Sequence, residues 1–478
     1  MNPSTILWFR QDLRLEDNPA LNAALARGGA VVPVFIWNPD EEGAWPPGAA
    51  SRWWLHQSLK SLAADLKSRG ATLLIEKGGA LDVLKKLCAK TGATCVTWNR
   101  RFEPAAIARD TAVKAALKSS GIEAVSFNGA LLFEPLAIKN NEGNPYKVFT
   151  QYWRKCLTFP EPAKPTAAPK TIPAPDCALD SLPLADLNLE PTIHWTATME
   201  KEWTPGAAGA LALLKRFRKD VGAYADARNI PGFAGTSRLS PYLHVGAISP
   251  RQIWHALSGQ HHRDIEQASG GEECYLRELG WREFAHYLLY HFPATPTEPL
   301  RADFKAFPWK RNARALKAWQ RGNTGFPLVD AGMRELWATG WMHNRVRMVV
   351  ASFLIKDLLL DWKEGARWFW DTLLDADLAN NTLGWQWVAG CGADAAPFFR
   401  IFNPTTQGEK FDASGAYVRR WIPELANLPD AHIQNPSEAP AEILRAAGVA
   451  LGKNYPKPIV DHKEAREAAL AAFGQLRG

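Results

Sequence analysis

No G-x-S-x-G, H-E-x-x-H or Walker sequence occurs in the 478 residues. Nucleophile-elbow hydrolysis, zinc-peptidase chemistry and P-loop phosphotransfer therefore have no residues to stand on. Six cysteines are present, and none is spaced as C-x-x-C or C-x-x-x-C. That argues for a reduced compartment and against a zinc site, so no metal is expected. No apolar run reaches the 18 residues that a membrane helix needs. The opening "MNPSTILWFRQDLRLEDN" places Arg and Asp directly after a short apolar run and does not read as a signal peptide. Lys plus Arg exceeds Asp plus Glu by only 56 to 49, a net +7 that permits contact with a phosphate backbone without requiring it. The adjacent His261 and His262 read as a loop rather than as metal ligands.

What the chain has in abundance is tryptophan, 21 residues of it. Its length exceeds one ordinary core, so two or three domains are expected. Residues 1–130 alternate short apolar runs ("TILWFR", "AVVPVFIW", "ATLLIEKG", "TCVTWN", "AVSFNG") with amphipathic stretches such as "SRWWLHQSLKSLAADLKSRG". That alternation predicts an α/β domain with a doubly wound parallel sheet. No G-x-G-x-x-G follows its first strand, so a dinucleotide site is not supported there. Residues 131–200 read as a long Pro-rich connector, with eight prolines between Phe159 and Thr192. Residues 201–478 show helical periodicity and form the all-α part, with "GALALLKRFRKDVGAYADARN", "EECYLRELGWREFAHYLLYHF" and "GWMHNRVRMVVASFLIKDLLLDW" as long helices.

Four stretches carry polar side chains that a core helix does not need. "GFAGTSRLSPYLHVGAISP" crowds Gly, Thr and Ser at a helix start, either as a phosphate cradle or as a plain N-cap, with Tyr224 upstream as a second wall. Glu278, Trp281 and Arg282 fall at i, i+3 and i+4, so they share a face that is either a solvated edge or a polar cavity wall. Asn344, Arg347 and Met348 share another, and a buried Arg347 needs an acid, with Asp375 or Asp377 as candidates. Those acids belong to "DADLANNTLGWQW", which packs two Asp, two Asn and two Trp into thirteen positions.

The ordered motifs "LWFRQDLRLEDNPAL", "PGAASRWWLHQSL", "GTSRLSPYL", "LRELGWREF", "GWMHNRVRM", "LLLDWKEGARWFW", "DADLANNTLGWQW" and "FFRIFNPTTQGEKFD" resemble the DNA photolyase and cryptochrome family over nearly the whole chain. The resemblance implies an N-terminal α/β antenna domain, a connector and a helical domain that binds FAD and DNA. It implies light-driven repair: UV-damaged DNA is bound, a cyclobutane pyrimidine dimer is flipped out, and photoexcited reduced flavin lends it an electron. Tyr224, Thr236, Ser237, Leu239, Ser240, Tyr275, Arg282, Asn344, Arg347, Asp375, Asp377 and Asn381 match the FAD pocket, with Asn381 facing flavin N5. Glu278, Trp281, Asn344, Met348 and Trp387 match the dimer cavity, and Glu278 would hydrogen-bond the damaged base. Trp385, Trp362 and Trp309 match an electron relay to the flavin. Arg228, Arg345, Arg400 and Lys410 would meet phosphates.

The same comparison separates the branches. (6-4) photolyases carry His where this chain has Asn344 and Met348 in the "HNRVRM" segment, which favours cyclobutane dimers. Plant cryptochromes tend to place Asp at the position of Asn381, which favours repair over blue-light signalling, and no long tail is seen. "EEGAWPPGAASRWWLHQSL" and "WNRRFEP" resemble plant cryptochromes, a mixture that suits class III photolyases, close relatives of class I. The implied antenna is 5,10-methenyltetrahydrofolate, with a deazaflavin as the alternative and Trp37, Arg52 and Glu103 as its candidate residues. A monomer in a bacterial-type cytoplasm, associated with the nucleoid through DNA, completes the expectation.

Overall fold

The computed structural model describes residues 3–258 and 270–476, and His261 and His262 lie outside them. Its internal contacts divide the chain into two units. The first comprises Met1–Lys219, Ser237–Pro293 and Leu374–Leu378; the second comprises Asp220–Thr236, Ala294–Leu373 and Ala379–Gly478.

The first unit is built on five parallel strands, β1 (Thr5–Phe9), β2 (Val31–Trp37), β3 (Leu74–Lys77), β4 (Cys95–Asn99) and β5 (Glu123–Phe127), in the order β3-β2-β1-β4-β5. Each lies on one of the apolar runs read from the sequence. Successive strands are joined through α1 (Pro19–Ala26), α2 (Ala49–Lys67), α3 (Ala80–Thr91) and α4 (Pro104–Ser119). The sheet is covered on both faces, so β1 and β4 are buried at every position and read as continuous apolar runs. Ile6, Trp8, Val34, Val96 and Trp98 meet Leu84, Leu87 and Leu117 in one core. The entry to α1 is fixed by Asn18, whose side chain accepts from Leu21 N at 3.1 Å, with Pro19 supplying the preset φ of a first helical residue.

The chain leaves β1 toward β2 and β3, then returns to β4 on the other side. The strand order therefore reverses between the C-terminal ends of β1 and β4, where crevices form in such sheets. Arg10, Gln11 and Asp12 follow β1 there, and Arg100 and Arg101 follow β4. The connector contains a helix, Phe149–Leu157, that its composition did not announce. Beyond it the chain is tied to the first unit by backbone bonds, among them Val31 N to Pro173 O, Ile172 N to Arg69 O and Leu182 N to Ile75 O.

Two of the expected long helices are shorter than read. The helix begun at Gly206 ends at Asp220, and a 3-10 turn separates it from the single turn Tyr224–Ala227. The stretch 340–362 holds the helix Asn344–Ser352 and a π-turn, Phe353–Asp357; a new helix starts at Trp362 under an Asp361 N-cap. Leu359 takes φ 53°, a left-handed conformation no helix propagates through. The apolar run continues there, but the buried polar ends of Lys356 and Asp357 demand partners, found in Arg400 O at 2.7 Å and His462 Nδ1 at 2.5 Å. Among the described residues no helix is long and apolar enough to cross a membrane.

Candidate functional site

In the first unit the helix Gly271–His291 carries Glu278, Trp281 and Arg282 as expected, on an uninterrupted backbone. Trp281 lies face to face on Phe149, with centroids 4.0 Å apart and planes 11° apart, which fixes its ring. Arg282 donates to Ala130 O at 2.8 Å. Tyr275 donates its hydroxyl to Ser237 Oγ at 2.8 Å, and Leu239 N donates to the same oxygen. The N-cap reading of this segment is not what the serine does: Leu239 is the N-cap and makes no side-chain bond, and the helix Ser240–His244 is a single turn. Ser237 and Leu239 are buried, and Ser240 is exposed.

The segment Leu374–Leu378 belongs to the first unit and brings Asp375 and Asp377 with it. Asp375 is buried, and Asp377 Oδ2 lies 3.2 Å from His286 Nε2. Sequence reasoning missed His286. Its signal was there: it follows Glu278 and Arg282 at the same four-residue spacing on one helix. His244 stands in the same neighbourhood, and burial holds it below the ordinary histidine range against the pull of Asp377, Asp375 and Glu103.

The second unit collects the other half of the expected residues. Asn381 donates Nδ2 to Ala366 O at 3.0 Å, which fixes the amide and leaves its Oδ1 without a partner among the described residues. Arg347 donates Nε to Met342 O at 2.8 Å. Asn344 is exposed at the first position of its helix, Met348 and Trp387 are half-buried, and Thr236 is half-buried. The cations converge further. Arg228 lies over the Tyr224 ring, and Arg345 donates to Asn229 Oδ1 and covers Phe411, whose ring Lys410 also approaches. His343 Nδ1 accepts from Arg345 N at 3.2 Å. Burial and the charges of Arg345, Arg347 and Arg228 push its pKa down to about 4. Its Nε2 and the Nε of Arg345 are buried without hydrogen-bond partners among the described residues. Arg400 is exposed on a separate segment, held through its carbonyl by Lys356.

The three tryptophans expected to relay electrons all fall in the second unit. Trp385 is buried against Phe369, 5.0 Å between centroids, and Trp319, 6.2 Å. A Cβ at Gly365 would stand 2.0 Å from the Trp385 ring, so that glycine makes room for it. Trp362 is buried at the start of its helix, and Trp309 packs on Phe307.

At the reversal of the sheet lies a cleft lined by Trp8, Phe35, Trp37, Glu42, Arg101 and Arg109, among others. Arg101 grips Glu42 with two bonds of 2.7 Å and Glu103 with two, of 2.9 and 3.3 Å. Burial alone would raise the Glu42 pKa; Arg101 overcomes it and holds the carboxyl below its usual range. Of the candidate antenna residues, Trp37 lines the cleft, Glu103 is committed to Arg101, and Arg52 is exposed and lines no part of it.

Comparison with known proteins places these features. Residues 5–173 match the DNA photolyase family, and residues 275–475 match the FAD binding domain of DNA photolyase. Deoxyribodipyrimidine photo-lyase of Agrobacterium fabrum is 48% identical over 99% of this chain and 98% of its own. Cryptochrome-2 of Arabidopsis thaliana is 45% identical over 100% of this chain and 80% of its own. The crystal structure of a bacterial class III photolyase from Agrobacterium tumefaciens superposes with a TM-score of 0.95 at 47% identity, covering 100% of this chain and 98% of the other.

Proposed function

The chain belongs to the DNA photolyase family, and on that premise we propose that it repairs cyclobutane pyrimidine dimers in UV-damaged DNA under blue light, as a deoxyribodipyrimidine photo-lyase with FAD as its cofactor. Identity to a photo-lyase and to a plant cryptochrome is nearly equal, 48% against 45%, so the overall likeness does not choose between repair and signalling. The observation that carries repair is Asn381. It is a neutral amide, oriented by Ala366, at the position where the family resemblance puts the flavin N5. A carboxylate there would repel an electron-rich flavin, and an amide does not.

The residues fit the cofactor. The Tyr275–Ser237 pair, the acids Asp375 and Asp377, Arg347 and the Asn381 amide would hold FAD, together with Tyr224, Thr236, Leu239, Ser240, Arg282 and Asn344. When bound, FAD supplies the light-absorbing electron donor. The chain's own residues then receive the lesion. Trp281, fixed by Phe149, and Trp387 offer flat faces to the flipped pyrimidines, at about 1–3 kcal/mol per stacked base. That offsets the few kcal/mol of unstacking. Glu278 is the hydrogen-bonding partner of the damaged base, and Met348 and Asn344 complete the walls. Arg228, Arg345, Lys410 and Arg400 bind phosphates, and the approach of Arg345 and Lys410 to the one Phe411 ring supports that reading. Trp385, Trp362 and Trp309 relay electrons to the cofactor.

The cleft at the reversal of the sheet has aromatic walls beside the Arg101–Glu42 pair. It is the proposed seat of the antenna, 5,10-methenyltetrahydrofolate in preference to a deazaflavin. Kinship with bacterial photo-lyases supports work on DNA in a bacterial-type cytoplasm.

The test of the assignment is to release and identify the bound chromophores, then measure binding to dimer-containing and undamaged oligonucleotides. FAD with a strong preference for the damaged strand supports repair. FAD without that preference supports the photoreceptor reading, and absence of FAD overturns both.

A further inference from the structure

His286 is buried on the helix Gly271–His291, and both its ring nitrogens face acceptors. Nδ1 lies 3.0 Å from Arg282 O, and Nε2 lies 3.2 Å from Asp377 Oδ2. A neutral imidazole has one N–H and one lone pair, so it satisfies only one of these oxygens, unless Asp377 carries the proton. A histidine is about 2.6 pK units more basic than an aspartic acid, which puts the proton on the ring. Burial opposes that charge, and Asp377 outweighs it, so the His286 pKa is raised.

The surroundings keep the balance. Arg282 and Glu283 flank His286 on its own helix. Asp12, Arg101, Glu103, His244 and Asp377 line the same small polar cavity, and Asp375 lies one residue from Asp377 in the chain. Arg282 is spoken for by Ala130 O, and Arg101 by Glu42 and Glu103. Within this group His286 is the cation that meets Asp377 directly.

We propose that His286 is a positioning residue for the flavin: a fixed imidazolium that holds the Asp377 carboxylate ionised and in one orientation before the cofactor binds. The inference rests on the reading that Asp377 contacts FAD. The residue acts through Asp377 and does not itself touch the reacting atoms. Without the cation, Asp377 loses the positive charge 3.2 Å from its Oδ2, and the net negative charge beside an electron-rich ring rises. That weakens binding of the reduced cofactor and moves the midpoint potential of the bound flavin to more negative values.

The experiment uses the full-length purified protein, with His286→Gln, which keeps polarity without charge, and His286→Arg, which restores a cation. Nitrogen-15 NMR of labelled histidine in the wild type should show both His286 nitrogens protonated at pH 8. A single protonated nitrogen overturns the proposal and needs no variant, so it holds even if a variant fails to fold. The Gln variant should lose FAD at least tenfold more readily and have a more negative flavin potential, and the Arg variant should recover most of both. A flavin-loaded wild type whose Gln variant matches it in affinity and potential overturns this inference alone. A wild type that binds no flavin overturns the cofactor assignment and this inference with it.

Discussion

Asn381 donates its amide Nδ2 to the main-chain oxygen of Ala366 at 3.0 Å, so the side chain cannot rotate without giving up that bond. One bond therefore decides which end of the amide is left for the cofactor. Asn381→Asp removes the donor and sets a carboxylate against the Ala366 oxygen. The variant should hold reduced flavin at least tenfold less favourably than wild type, about 1.4 kcal/mol or more. Anaerobic redox titration followed by flavin absorbance checks this, and an unchanged curve would remove Asn381 from the account.

Gly365 and Trp385 share a space with no slack. A methyl group at residue 365 would fall 2.0 Å from the indole. Gly365→Ala should displace the ring and cost about 1–3 kcal/mol in stability, as overpacked cores do. If Trp385 is the relay step next to the cofactor, flavin photoreduction should slow in step with the thermal shift. Photoreduction at the wild-type rate in a destabilised variant would separate packing from electron transfer.

The arginines proposed to meet phosphates differ in how well they are held. Arg345 is braced by Asn229 and Phe411, whereas Arg400 projects from an exposed segment. Arg345→Ala should weaken binding to damaged DNA more than Arg400→Ala does, and should lower the salt-dependence slope by about one. Titrations at several salt concentrations measure both. Equal losses would show that bracing contributes nothing.

His343 gives the pH behaviour. Its folded pKa, about 4, lies below the ordinary value of 6.5, so between these values the unfolded chain binds more protons than the folded one. Stability should therefore be full above pH 6.5 and fall as pH drops toward 4, by roughly 3 kcal/mol at most. His343→Asn, which can still cap the helix but cannot charge, should flatten that part of the curve. Denaturant unfolding across pH 4–7 decides it.

How much of this the sequence could carry depends on range. The strands were legible because a sheet covered on both faces needs unbroken apolar runs, and "TILWF" and "CVTWN" are such runs. Asn381, Trp385 and Glu278 could be proposed from the sequence because they sit in short motifs whose residue types suit the proposed chemistry. The break at Leu359 was not, since leucine is an ordinary helix former and only the partners found by Lys356 and Asp357 turn the chain away. The pairing of His286 with Asp377 and the grip of Arg101 on Glu42 were hidden for a related reason. Each joins residues far apart in sequence, and the spacing that marks His286 on its own helix does not point to Asp377.

The central claim meets its most direct test in one measurement. The purified, flavin-reduced protein is mixed with an oligonucleotide carrying a single thymine dimer, and restored thymine is counted under blue light and in darkness. Restoration that depends on light, and that falls sharply in Glu278→Gln, is the expected result. Tight damaged-strand binding with no thymine restored under light would contradict it.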